Sequence, residues 1–132
     1  MKIERFEDIE GWKLGRKLAN LIYDFTTRAP FSNDFGLRDQ IQRAAGSVMH
    51  NIAEGFDAGS NPEFARFLGY SKRSCTEVQS ELYLALDRGY ISKAQFDAAY
   101  QLADEAKATA GGFARYLRKN KKPSTGNSEL QT

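Results

Sequence analysis

Residues Leu37 to Phe56 read L-R-D-Q-I-Q-R-A-A-G-S-V-M-H-N-I-A-E-G-F. Leu37, Ile41, Ala44, Ala45, Val48, Ile52 and Phe56 recur at steps of three and four, the period of an α-helix. Around that stripe the side chains are small or polar. Ala44, Ala45, Gly46 and Ser47 fill the middle, and Asn51 and Glu54 follow one and two turns later. Ordinary cores place larger apolar residues at such positions. A helix built this way either approaches a neighbour closely or carries a polar site. Its expected span is Gly36 or Leu37 to Glu54, with Gly55 as a left-handed cap just past the last turn.

Upstream, Ile9, Trp12, Leu14, Leu18, Leu21, Ile22 and Phe25 predict a helix over about Ile9 to Thr27, with Asp8 as its N-cap. It should stop near Ala29, because a residue before proline is pushed away from α geometry. Pro30 to Gly36 is turn chemistry. Downstream, Asn61-Pro62-Glu63 reads as a cap, a proline in the first helical position and an acid in the first turn. The helix it starts should reach Arg88 and end at Gly89. Ser92 and Gln95 form a capping box, with Ile91 and Phe96 placed for a hydrophobic staple. Then Phe96, Ala99, Ala103, Ala106, Ala110, Phe113 and Leu117 alternate steps of three and four, a seam suited to bundle packing. Gly111-Gly112 interrupts it and implies a bend or very close packing. No segment alternates with period two. Four long helices on short loops predict an all-α chain folded as an antiparallel up-down-up-down four-helix bundle. The bundle is expected over residues 1–120, and a disordered polar tail over 121–132.

A chain of 132 residues suits one domain with a real core. Its charged fraction of 27% and hydrophobic fraction of 41% are those of an ordinary globular domain. Net charge is +2, but Phe113 to Thr132 alone carries +4: Arg115, Arg118, Lys119, Lys121 and Lys122 against Glu129. The single cysteine, Cys75, allows no internal disulfide and no CxxC zinc site. The N-terminus has no apolar signal core, and no run nears the roughly 18 apolar residues of a membrane helix. A cytoplasmic protein with no membrane partner is expected.

Three groups of residues are candidates for chemistry. Ser47, Asn51 and Glu54 share one face of their helix, and Ser74, Glu77 and Glu81 offer a matching set on the next. Di-metal sites in bundles need a Glu-x-x-His pair on each of two helices. This chain has one histidine, His50, and Ser47 stands three positions before it. Ser47, Asn51, Glu54, Ser74 and Glu77 are therefore expected to form a structural hydrogen-bond network, with no metal and no cofactor. Cys75 lies on an apolar face and reads as a small core residue. No nucleophile elbow, dinucleotide fingerprint or P-loop is present, so no catalytic residue is assigned and no enzyme is expected. The basic residues are the third group. Arg115, Arg118, Lys119, Lys121 and Lys122 lead, with Lys13, Arg16, Lys17, Lys72 and Arg73 behind them. Such residues bind phosphate backbones, or simply form a solvated face with favourable charge at a helix C-terminus. A surplus of apolar residues outside the main stripes, Trp12, Tyr83 and Leu84 among them, points either to self-association or to a wide core stripe.

The order F-E-D-I-E-G-W, then G-L-R-D-Q-I-Q-R-A-A-G-S-V-M-H-N-I-A-E-G, then Ser74 and Glu77, then R-G-Y-I at Arg88 to Ile91 resembles a known family. These are the bacterial four-helix-bundle proteins encoded within intervening sequences of large-subunit ribosomal RNA genes. The chain differs at Val48-Met49, where many relatives carry Ile-Pro or a similar pair, and in its plainer Gly-Ser-Asn-Pro loop. The resemblance covers roughly Ile3 to Lys119. It implies an antiparallel bundle and a ring-shaped homopentamer, and more distantly it is similar to RNA-binding accessory proteins of diversity-generating retroelements. In a five-fold ring the +4 segment becomes about +20, which multiplies phosphate contacts. The expected function is non-enzymatic binding of structured RNA by a homo-oligomer. The alternative is a protein-interaction scaffold with no nucleic-acid role.

Overall fold

A computed structural model describes residues 2–120, and four helices account for most of them. They are α1 (Glu10–Thr26), α2 (Phe35–Phe56), α3 (Asn61–Asp87) and α4 (Lys93–Lys119). Single 3-10 turns precede α1 (Phe6–Asp8) and α2 (Phe31–Asn33). Each helix packs against the next along the chain, and α4 closes the ring against α1 over the shortest of the four seams. This is the antiparallel four-helix bundle that the apolar periodicity requires. Among the described residues no helix is long and apolar enough to cross a membrane.

Local signals set most of the helix ends. The Ser92 hydroxyl accepts from the Gln95 amide at 3.1 Å, and the Gln95 side chain accepts from the Ser92 amide at 2.8 Å. Gly89 takes a left-handed φ of 76° after α3, as its position predicts. The Asp34 carboxylate caps α2 by accepting from the Leu37 amide, and also accepts from the Tyr90 hydroxyl at 2.8 Å. That second bond ties the start of α2 to the turn between α3 and α4.

Three ends depart from the sequence reading. Asp8 does not cap α1. Its carboxylate turns back to accept from the amides of Glu4 and Arg5, and Ile9 is the cap residue. At α3 the cap is Ser60, whose hydroxyl accepts from the Glu63 amide. Asn61 lies inside the helix, buried, and its amide donates to the Asn120 carbonyl at the end of α4. Gly55 is not a left-handed cap either. α2 continues through it to Phe56, and the left-handed glycine of the loop is Gly59 (φ 91°). A Cβ on Gly55 would stand 2.7 Å from Phe64 Cδ1 and 2.8 Å from Phe67 Cβ. The missing side chain is what lets α3 cross here.

The core forms two clusters along the bundle axis. One holds Leu18, Ile22, Ile41, Ala45, Val78 and Leu82 with Ala99, Ala103 and Ala106 of α4. The other holds Ile3, Ile9, Ile52, Phe64, Leu68 and Leu117. Near their junction the helices are also in close contact. Buried Ser71 donates to the Val48 carbonyl at 2.8 Å. A Cβ on Gly15 would meet Val48 Cγ1 at 3.0 Å and the Met49 amide nitrogen at 3.1 Å. A cavity of about 340 Å³ remains between α1, α3 and α4, lined by Ile3, Ile9, Gly11, Leu68, Ala110 and Phe113 among others.

Two glycines on these helices should respond oppositely to alanine. Gly55→Ala drives a methyl into Phe64 and Phe67, and should lower unfolding stability by about 1–3 kcal/mol. Gly69, mid-helix in α3, has open space where its Cβ would be. Gly69→Ala should raise stability by about 0.5–1 kcal/mol through helix propensity. Urea midpoints of the two variants check both signs.

Candidate nucleic-acid interface

The second half of α4 places Lys107, Gly111 and Arg115 at steps of four, on one face of the helix. That face borders α3. Gly111 is buried and Lys72 of α3 lies across it: a Cβ there would meet Lys72 Nζ at 3.4 Å and Lys72 Cδ and Cε at 3.5 Å, ordinary contact distances that an alanine would also allow. The groove along the seam is about 550 Å³ and is lined by Lys72, Asp104, Lys107, Ala108, Gly111 and Arg115. Its wall is organised by buried Gln79. Gln79 donates to Asp104 Oδ1 at 2.8 Å and to the Tyr100 carbonyl at 3.3 Å, and accepts from Lys107 Nζ at 2.8 Å.

The candidate cations do not all meet in this groove. Lys72 and Arg115 share it. Lys13, Arg16 and Lys17 line a separate groove between α1 and α4, with Trp12 and Leu102. The Arg16 guanidinium sits 5.7 Å from the Trp12 ring centre there. Arg73 stands on the outside of α3 beside Tyr70, whose ring also has Arg66 at 5.7 Å. Arg118 and Lys119 occupy the last turn of α4, exposed, where cations suit the helix dipole. Lys121, Lys122 and the rest of the 121–132 segment lie outside the described residues. Lys107 escaped the sequence reading, although its spacing from Arg115 could have found it.

Ion pairs among the described residues involve five of the other cations, and leave Arg28, Arg43 and Arg88 as well as the candidates outside them. Among the described residues, pairs form between Lys2 and Glu4, Arg5 and Glu7, Arg38 and Asp39, Arg66 and Glu63, and Lys93 and Asp97. None of Lys13, Arg16, Lys17, Lys72, Arg73, Lys107, Arg115, Arg118 or Lys119 takes part. Carboxylates line two further grooves, Glu4, Glu7, Glu54 and Asp57 between the N-terminal segment and the end of α2, and Asp97, Asp104 and Glu105 along α4.

The small polar residues of α2 and α3 lie away from these grooves. Asn51 donates to the Ser47 carbonyl one turn back, at 2.8 Å, and both are half-buried. Glu54 and Glu77 are exposed, and Ser74 is half-buried. Polar bonds between helices run instead through Ser71 to Val48, Gln79 to α4, Gln42 to Thr26 and Asn61 to Asn120. Cys75 is fully buried, and burial pushes its thiol up to about 11, the setting of an inert core residue. No group of three or more His, Cys, Asp or Glu residues among the described residues could hold a metal ion.

Glu81 is the perturbed acid. Burial, then the charge of Glu77, pushes its carboxyl from an ordinary 4.5 up to about 7. Its Oε1 is shielded from solvent with no hydrogen-bond partner among the described residues. Because the folded value lies above the unfolded one, the unfolded chain loses its proton first as pH rises. Stability from this group is therefore complete below about pH 4.5 and declines until about pH 7. Glu81→Gln should abolish that decline, matching the parent protein in acid and exceeding it above neutrality. Urea unfolding at several pH values measures the difference.

Residues 7–112 match the family described as 23S rRNA-intervening sequence protein. Among solved structures, the chain is similar to a protein of unknown function from the S23 ribosomal protein family of Bacteroides thetaiotaomicron. The two are 21% identical with a TM-score of 0.73, over 80% of this chain and 98% of that one, a likeness of fold. No curated protein matches the chain. The family match spans most of the sequence, including the α2 stretch that organises the bundle and the α3–α4 seam as far as Gly111. The chain belongs to the 23S rRNA-intervening sequence protein family.

Proposed function

We propose that this protein is a non-enzymatic, self-associating bundle that binds structured RNA in the cytoplasm through unpaired cations on α1, α3 and α4. The observation that carries the reading is the division among its basic side chains. Five are paired with neighbouring carboxylates, while Lys13, Arg16, Lys17, Lys72, Arg73, Lys107, Arg115, Arg118 and Lys119, together with Arg28, Arg43 and Arg88, form no ion pair among the described residues. Unneutralised cations along grooves attract polyanions and need little base specificity to hold them. Membership in a family named for ribosomal RNA intervening sequences supports RNA as the polyanion. Arg118 and Lys119 extend the basic surface beyond the α3–α4 groove, and Lys121 and Lys122 follow them in sequence.

Self-association, as a homopentameric ring, is the second part of the proposal. Tyr23, Phe35, Tyr83 and Leu84 are large apolar side chains exposed by about half or more. All four lie toward the end of the bundle where α1 and α3 finish and α2 begins. Repeating the basic surface around a ring multiplies the phosphates it can engage. The same apolar residues also favour the rival reading of a scaffold for another protein without any RNA.

The full-length protein should retain a structured RNA on filters at low salt with micromolar or tighter affinity. The logarithm of affinity should fall linearly with the logarithm of salt concentration. Absence of retained RNA at low salt overturns the RNA reading. Partner capture that survives both nuclease treatment and neutralisation of Arg115, Arg118, Lys119, Lys121 and Lys122 favours the scaffold.

A further inference from the structure

The α3–α4 groove has a more specific architecture than a basic surface requires. Three cations line it, contributed by two helices: Lys72 from α3, and Lys107 and Arg115 from α4. The groove has one acid, Asp104, and that carboxylate accepts from Gln79. Gln79 is 5% exposed, and its amide is used from both ends, the nitrogen by Asp104 and Tyr100 and the oxygen by Lys107. The amide orientation follows from these partners, since an ammonium only donates and a carboxylate only accepts. A buried side chain thus bonds both the acid and the cation, fixing the position of Lys107, which lines the groove. Lys72 is fixed by another means, its stem laid over the bare backbone of Gly111.

Collecting like charges in a concavity is unfavourable unless an anion joins them. We propose that Lys72, Lys107 and Arg115 clamp a backbone phosphate of RNA, with Gln79 as the residue that positions Lys107. Two ammonium groups supply point charges, and the Arg115 guanidinium supplies a planar fork that suits two phosphate oxygens. The clamp rests on the RNA-binding reading and adds to it a discrete site and a residue, Lys107, outside the expected basic set. It also ranks the cations: the α3–α4 groove should matter more than Lys13, Arg16 and Lys17 in the α1–α4 groove.

The test uses fluorescence anisotropy with a labelled RNA hairpin and the full-length protein across a salt series. Lys107→Gln and Arg115→Gln should each weaken binding several-fold and reduce the salt slope by about one. Gln79→Leu changes no charge, yet should weaken binding and lower the slope in the same direction, which a merely structural role would not do. Lys93→Gln, at the far end of α4 and paired with Asp97, should leave both quantities unchanged. Urea midpoints report whether each variant folds, and if Gln79→Leu does not, the two surface variants decide. If the parent protein binds RNA while Lys107→Gln and Arg115→Gln keep its affinity and slope, the clamp is overturned and the RNA reading stands. If the parent protein binds no RNA, both fall. Inorganic phosphate gives a second readout of the site. At matched ionic strength it should displace RNA from the parent more than chloride does and lose that advantage in Lys107→Gln and Arg115→Gln, and an advantage that persists undiminished in both variants overturns the clamp.

Discussion

Val48 is pressed from two sides, and the bundle depends on that contact. On one side α1 brings Gly15, with room for nothing larger than a hydrogen before Val48 Cγ1 and the Met49 backbone are reached. On the other, α3 brings Ser71, whose hydroxyl finds the Val48 carbonyl. A hydroxyl that donates across a buried seam is stabilising only when its partner is in place, so it fixes register as well as distance. The small residues of α2 belong to the same constraint. Ala44 and Ala45 are almost wholly buried and keep the helix thin along its packed face. What reads in the sequence as a possible polar site is a place of close helix approach.

The charged grooves are consequences of that packing. α3, positioned on α2 by Ser71, carries Lys72 and Gln79 on the side that meets α4. Lys72 runs over Gly111 of α4 at contact distance. A long cation held along a seam loses less rotamer freedom on meeting an anion than one waving in solvent. The same event that brings α3 and α4 together therefore shapes and orders the basic groove.

The sequence made the architecture legible wherever the signal was local. The three-four alternation of α4, the Ser92–Gln95 box and Gly89 each describe their own turn, and the structure has them. Gly55 was misread because its glycine is required by Phe64 and Phe67, not by its own backbone. Asn61 was misread for the same reason: its partner, Asn120, is on another helix. Spacing placed Ser47, Asn51 and Glu54 on one face, but it could not say that Glu54 would stand in solvent while Glu81 became the shielded acid. The basic residues of the site were partly visible. Lys72 and Arg115 were named for charge alone, whereas Lys107 acquires its role only when Gln79 reaches it from across the seam.

The short seam between α1 and α4 bears on how the molecule comes into being on the ribosome. α1, α2 and α3 can pair in the order in which they emerge, each on the helix before it. The two helices most distant in sequence must meet last, and the partly empty space at Ile3, Ile9 and Leu68 marks where they meet. Until Leu117 arrives, the apolar side chains of the N-terminal segment lack one wall of their cluster. A nascent chain stalled within α4 is thus a three-helix body with an open apolar flank, the form most exposed to chaperones and to wrong partners.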